Sequence, residues 1–278
     1  METQAWNHEP HLPSSNYHLP TTNYRIIDIM IKLYTFGPFY GLPDPSPFCL
    51  KVDAYMRATG IPFEVVPGFE NLRRAPKGKL PFIVDDGKII ADSAFILSYL
   101  KQKHGDPLDA GLTAEQKAIA HAFIKMLDEN LYWCMVHSRW MDDAVWPTIR
   151  GLFFSAMPAP MRWLLPPLIR RGVAKSLREH GVGRHIPAEI LEIARRDLRA
   201  LSDFLGDKSW FFGPQATTLD AVAYAFLAEA IVPPWKCDLS DLARSIPNLV
   251  AFTTRFQTRF YPTNDDLINV MPAQAGIQ

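Results

Sequence analysis

The chain has 278 residues, with 29 Lys plus Arg against 29 Asp plus Glu, and so no formal net charge. That balance argues against nucleic acid as the main partner, although it leaves room for a local basic patch. The length and a hydrophobic fraction of 48% suffice for two modest domains with buried cores. The cysteines Cys49, Cys134 and Cys237 have no close pairing, which points to a reducing compartment without a disulfide framework. No Cys/His cluster has metal-ligand spacing, so no metal is expected.

Residues 1–29 are polar and Pro-rich without an apolar run, so they read as a disordered extension rather than a secretory signal. Ile31 to Phe36 alternates apolar and polar, the period of a half-buried strand. After a Gly- and Pro-containing loop, Ser46 stands at an N-cap and Pro47 at the first helical position. Phe48, Val52, Tyr55 and Met56 continue at helical spacing, and Gly60 is placed to close that helix. A second strand follows at Phe63 to Val66. Phe82 to Val84 and Lys88 to Ile90 flank Asp85-Asp86-Gly87, a hairpin signal. Asp92-Ser93 then opens a helix reaching about Lys103.

Gly105 to Leu112 is turn-rich and marks the expected domain boundary, with one domain over 30–105 and an all-helical one over 113–262. Thr113 and Gln116 have capping-box spacing and open a long helix predicted to run to Val145. Glu129, Trp133 and Trp140 fall on one stripe of that helix, and Tyr132 and Arg139 on another. Core packing and overhang of a ligand cleft both fit these aromatics. Gly151 to Ile169 is nearly all apolar, but Pro158, Pro160, Pro166 and Pro167 are expected to break it, which excludes a spanning helix. With Arg170, Arg171, Lys175 and Arg178 beyond, it suits packing between domains or subunits, or contact with a membrane surface. Pro187 to Leu205 is an amphipathic helix, and Trp210 to Pro214 leads to Thr217 and Asp220, an N-cap and its N3 partner. The helix from Leu219 to Ile231 is apolar nearly all round, so it is expected to be buried, and a last helix covers Pro247 to Phe260. Residues 263–278 read as a tail.

The order strand, helix, strand, link, hairpin, helix, with Ser46-Pro47-Phe48-Cys49, Leu80-Pro81 and Asp92-Ser93 at its turns, resembles the thioredoxin-like N-terminal domain of the glutathione transferase superfamily. The all-helical second half, entered through Phe211-Phe212-Gly213 and Thr217-x-x-Asp220, is similar to that superfamily's C-terminal domain. Ser46 to Val52, Leu131-Tyr132-Trp133 with Arg139-Trp140, Gly181 to His185, and Thr217 to Asp220 resemble the metaxin-like or failed-axon-connections branch. The likeness covers about residues 31 to 262. It implies an α/β thioredoxin-like domain followed by an all-α domain, a homodimer, and a cytoplasmic protein.

The resemblance also implies a site. Ser46 would donate to the sulfur of bound glutathione at a helix N-terminus, favouring the nucleophilic thiolate, with Tyr34, Thr35 and Tyr40 as weaker hydroxyl candidates. Cys49 matches the second, more buried position of a redox pair whose first member is here serine, so it reads as packing, with a redox role as the alternative. Leu80, beside a cis Pro81, would pair with the cysteinyl part of glutathione, and Ser93 would hold the γ-glutamyl carboxylate. Asp92 would meet the α-ammonium, one methylene shorter than the Glu or Gln the family commonly carries. Lys79 would reach the glycyl carboxylate. Tyr132, Trp133, Arg139 and Trp140 are candidates for the electrophile pocket. Glutathione conjugation to a small apolar electrophile is the favoured activity. A non-catalytic interaction module on the same fold, binding a partner or a membrane surface, is the alternative.

Overall fold

The computed structural model describes residues 30–262 apart from residue 156, so the extension and the tail expected at the termini lie outside the described residues. The sheet has four strands in the order β2-β1-β3-β4. β1 (Ile31–Thr35) runs parallel to β2 (Phe63–Pro67), with Ile31 opposite Phe63. β3 (Phe82–Asp85) is antiparallel to β1, and β4 (Lys88–Ala91) is antiparallel to β3. Asp86 and Gly87 both have positive φ (48° and 75°), as a two-residue type I′ hairpin requires. β1 is more buried than its alternation implies, because Leu33, Tyr34 and Thr35 are all covered and only Lys32 is exposed.

α1 (Pro47–Thr59) lies between β1 and β2, and Gly60 ends it at φ 68° with its N–H on the Arg57 carbonyl. α2 (Asn71–Arg74) is a single turn, pinned where Asn71 Nδ2 donates to the Thr35 and Val66 carbonyls. α3 (Ser93–His104) packs on α1 and on the hairpin.

The second half is all helical. α4 (Ala114–Lys125) starts at the expected capping box and passes through a π-helical segment, Met126–Leu131, into α5 (Tyr132–Met141). This rod stops at Met141, short of the predicted Val145. Asp142 leaves the helical region (φ −74°, ψ 121°) and accepts a hydrogen bond from the Ala144 N–H instead. α6 (Trp146–Phe154) and α7 (Met161–His180) occupy much of the segment expected to be irregular. Pro166 and Pro167 sit inside α7 near its start. The donors they lack would have served the carbonyls of Arg162 and Trp163, which lie on an exposed turn. α8 (Pro187–Leu205) buries Ile190, Ala194, Leu198, Leu201 and Leu205 along one stripe.

α9 (Thr218–Ile231) is the axis of the molecule. Its residues Thr218 to Ala230 are all buried, and it packs against α1 and α4 as well as α10 (Asp238–Arg244) and α11 (Pro247–Phe260). The one-turn-plus α10 has no sequence counterpart, being too short to display an apolar stripe. Asp220 holds the entry to α9: it accepts from the Phe211 N–H (2.9 Å) and from both the N–H and the hydroxyl of Thr217 (2.7 Å each). Asp109, from the connecting segment, accepts from the Thr218 N–H at 2.9 Å. Carboxylates from two places thus satisfy the helix N-terminus.

Candidate functional site

The loop between β1 and α1 is organised by a residue that the sequence did not single out. Asp44, buried between two prolines, accepts from the N–H groups of Phe36 (2.7 Å), Gly37 (3.0 Å) and Ser46 (2.8 Å). Burial pushes its carboxyl up to about 8, against the pull of those three donors. From the other side, Arg139 donates to the Pro45 carbonyl at 3.0 Å while paired at 2.6 Å with Glu229, which is fully buried. Ser46 is therefore held from both sides. It has N-cap geometry (φ −102°, ψ 121°), but its hydroxyl makes no capping bond to α1.

One turn on, Cys49 is wholly buried with Tyr34, Leu80 and Phe82. Burial is the largest influence on its thiol, holding it well above its ordinary range, with the nearby Asp44 acting in the same direction and a hydrogen bond to Ser46 opposing.

Ser46 opens onto a cleft of about 460 Å³ between the α/β half and the α4–α5 rod. Lys79, Leu80, Pro81, Asp92 and Ser93 line the same cleft, and the Leu80–Pro81 bond is cis. The N-termini of α1 and α3 both meet it, a setting that favours an anionic ligand. Lys77, not anticipated, joins Lys79 on this wall. Asp92 sits at φ 84° and its carboxylate caps α3 by accepting from the Ala94 N–H at 2.9 Å, so part of its acceptor capacity is spent within the protein.

The opposite wall carries Lys125, Asp128, Glu129, Tyr132 and Trp133. Phe48 packs on Tyr132 (ring centroids 4.7 Å apart), and Trp133 stacks on His180 at 4.7 Å. Phe36 and Leu72 complete an apolar end. Arg139 and Trp140, expected at this pocket, do not line it. They lie about 10 Å further along the rod, where Arg139 serves the Pro45 turn and Trp140 packs on Trp146 and Phe153. Tyr34 is also elsewhere, stacked on Phe82 at 4.3 Å, and Tyr40 is half exposed beside Trp235.

Beneath the cleft, Lys51 of α1 pairs with Asp128 of the π-helical segment, a partner 77 residues away. A lysine within a helix reads by default as solvated, and nothing local distinguishes this one. Burial lowers its pKa, with Asp128 opposing that shift. Among the described residues, no group of three or more His, Cys, Asp or Glu is arranged to hold a metal ion.

The family model of the glutathione S-transferase N-terminal domain matches residues 47–145, and that of the glutathione S-transferase C-terminal domain matches residues 194–256. An isoprene-epoxide glutathione S-transferase from Rhodococcus is 37% identical over 236 residues, covering 83% of this chain and 99% of the relative. Failed axon connections of Drosophila melanogaster is 33% identical over 89% of this chain, which spans 62% of that protein's length. Metaxin-1 of Macaca fascicularis is 31% identical over 84% of this chain and 75% of its own. Among solved structures, a β-etherase from Sphingobium superposes with a TM-score of 0.60 at 20% identity, over 83% of this chain and 96% of that one. A glutathione transferase from Methylobacterium radiotolerans, solved with glutathione sulfonate, gives 0.53 at 18% identity, over 90% and 100%. The structural likeness speaks for the fold and the sequence likeness for descent: this chain belongs to the glutathione transferase superfamily, in the branch that includes Failed axon connections and the metaxins.

Proposed function

We propose that the protein binds glutathione in the cleft and activates its thiol for conjugation to an apolar electrophile. The observation that carries this reading is the convergence of Ser46, Leu80-Pro81 and Ser93, from three separate turns, on one cleft whose far wall is aromatic. Ser93, at the start of α3, would take the γ-glutamyl carboxylate, and Leu80 the cysteinyl backbone. Lys79, with Lys77 beside it, would meet the glycyl carboxylate. Asp92 would offer its remaining acceptor positions to the α-ammonium. The Ser46 hydroxyl, not used for capping, would donate to the glutathione sulfur, so that the thiol gives its proton to solvent and stays as thiolate.

The electrophile would lie against Phe36, Phe48, Tyr132 and Trp133. Sulfur attacks carbon, a C–S bond forms, and the displaced electron pair leaves with the group it was bonded to. The Rhodococcus relative's name points to an epoxide as the class to try first. There the C–O bond opens and the oxygen is protonated from solvent. The test is retention on immobilised glutathione together with turnover of glutathione with a small alkene epoxide. Failure to bind glutathione overturns the reading. Binding without turnover of any electrophile favours an interaction module, which the relatedness to Failed axon connections and the metaxins also supports.

A further inference from the structure

The first half of α7 stands out from the rest of the surface. Met161, Trp163, Leu164, Leu168 and Ile169 are 39–61% exposed, and Pro158, Ala159 and Pro160 in the turn before them are exposed too. Much of each of these side chains faces outward among the described residues, so packing between the two halves leaves this surface unaccounted for. Met161, Leu164 and Leu168 share one stripe of the helix, and that stripe continues as Arg171, Lys175 and Arg178. The surface is thus apolar over the first ~13 Å of the helix and basic over the next two turns. Arg150 and Arg162 add two guanidiniums over the Trp163 ring, at 5.0 and 5.6 Å from its centroid. Glu179 is the helix's sole acidic residue, against five Arg and Lys in a chain with no net charge.

We propose that this tip is a docking site for an anionic lipid surface. Residues 158–169 would enter the boundary between headgroups and acyl chains, and Arg171, Lys175 and Arg178 would meet lipid phosphates one to three turns behind them. Charge complementarity selects this occupant: a basic collar behind an apolar, Trp-bearing tip suits a negatively charged interface. A second copy of the chain fits less well, because a two-fold axis through the tip would set the basic collars against each other. No helix among the described residues is long and apolar enough to cross a membrane, and the proposed contact is one at the surface. It is independent of whether the cleft takes glutathione.

The experiment is co-sedimentation of the full chain with vesicles of phosphatidylcholine alone and of phosphatidylcholine mixed with phosphatidylglycerol, at low and high salt. Wild type is expected to sediment with the mixed vesicles and to be released by salt. Trp163→Ser with Leu164→Ser, and separately Arg171→Glu with Lys175→Glu, should each weaken that binding about tenfold or more. All four positions are exposed, so thermal melts of both variants should match wild type. The proposal is overturned if wild type ignores the mixed vesicles, binds both compositions equally, or binds no better than the variants. It is overturned equally if sedimentation velocity finds a dimer that Trp163→Ser with Leu164→Ser dissociates, which would make the tip a subunit interface.

Discussion

The Lys51 ammonium lies 2.8 Å from both carboxylate oxygens of Asp128, and the two side chains are only 1% and 6% exposed. One partner belongs to the first helix of the α/β half and the other to the π-helical segment of the rod, so the pair bolts the halves together under the cleft. Removing one member strands the other in the interior. Lys51→Met or Asp128→Leu should therefore cost about 3–5 kcal/mol, whereas the double change Lys51→Met with Asp128→Leu should cost clearly less than the sum. Urea denaturation of the three variants measures this, and simple additivity would show that the pair is not coupled.

Asp220 carries a pH dependence whose sign follows from its surroundings. Burial raises its carboxyl from the ordinary range to about 6, and the Thr217 and Phe211 donors only partly oppose it. A folded-state pKa above the unfolded value means that the folded protein holds the proton more tightly. The associated stability is complete below about pH 4 and declines as pH rises to about 6, by up to ~3 kcal/mol. Asp44 and Glu229, raised to about 8 and about 7 by burial, continue the decline at higher pH. Asp220→Asn should flatten the pH 4–6 portion of the unfolding free energy, and a difference profile without slope there would refute the assignment.

The same residue makes a simpler structural prediction. Thr217→Ala removes the hydroxyl that donates to Asp220 and should destabilise by ~1–2 kcal/mol. Thermal melts at neutral pH report it.

If Ser46 stabilises a bound thiolate, Ser46→Ala should leave glutathione affinity nearly intact. It should lower the conjugation rate by about ten- to a hundredfold, the worth of one charge-assisted hydrogen bond. Calorimetry and the pH–rate profile separate the two effects, with the apparent thiol pKa rising in the variant. Cys49→Ser should do far less to the profile, since that buried sulfur does not line the cleft and a serine hydroxyl can keep its hydrogen bond to Ser46. Loss of turnover in Cys49→Ser but not in Ser46→Ala would invert the assignment.

Arg139→Ala tests how the Ser46 turn is held. It removes the donor to the Pro45 carbonyl and strips Glu229 of its buried partner. We expect a loss of about 3–5 kcal/mol in stability. Restoring charge balance with Arg139→Met and Glu229→Gln should recover part of the stability but not the conjugation rate, because the Pro45 carbonyl is still without its donor. Recovery of both would show that the guanidinium has no positioning role.

What the sequence determined by itself was written in neighbouring residues. Ser46-Pro47 starts α1, Gly60 ends it, Asp86-Gly87 turns the hairpin, and Thr113 with Gln116 caps α4, because each depends on backbone preferences within four residues. The residues Ser46, Leu80, Pro81, Asp92 and Ser93 were marked in the sequence by the resemblance of their short motifs to the glutathione transferase superfamily, and the fold places them along one cleft. The tertiary structure decided what depended on distant partners. Tyr132 and Trp133 face the cleft while Arg139 and Trp140 do not, although periodicity alone gave all four an equal claim. Asp44 gathers three N–H groups, Lys51 meets Asp128 across 77 residues, and Arg139 meets Glu229 across 90. A charged side chain reads as solvated until the fold brings its counter-ion into the same dry volume, and no local pattern announces that meeting.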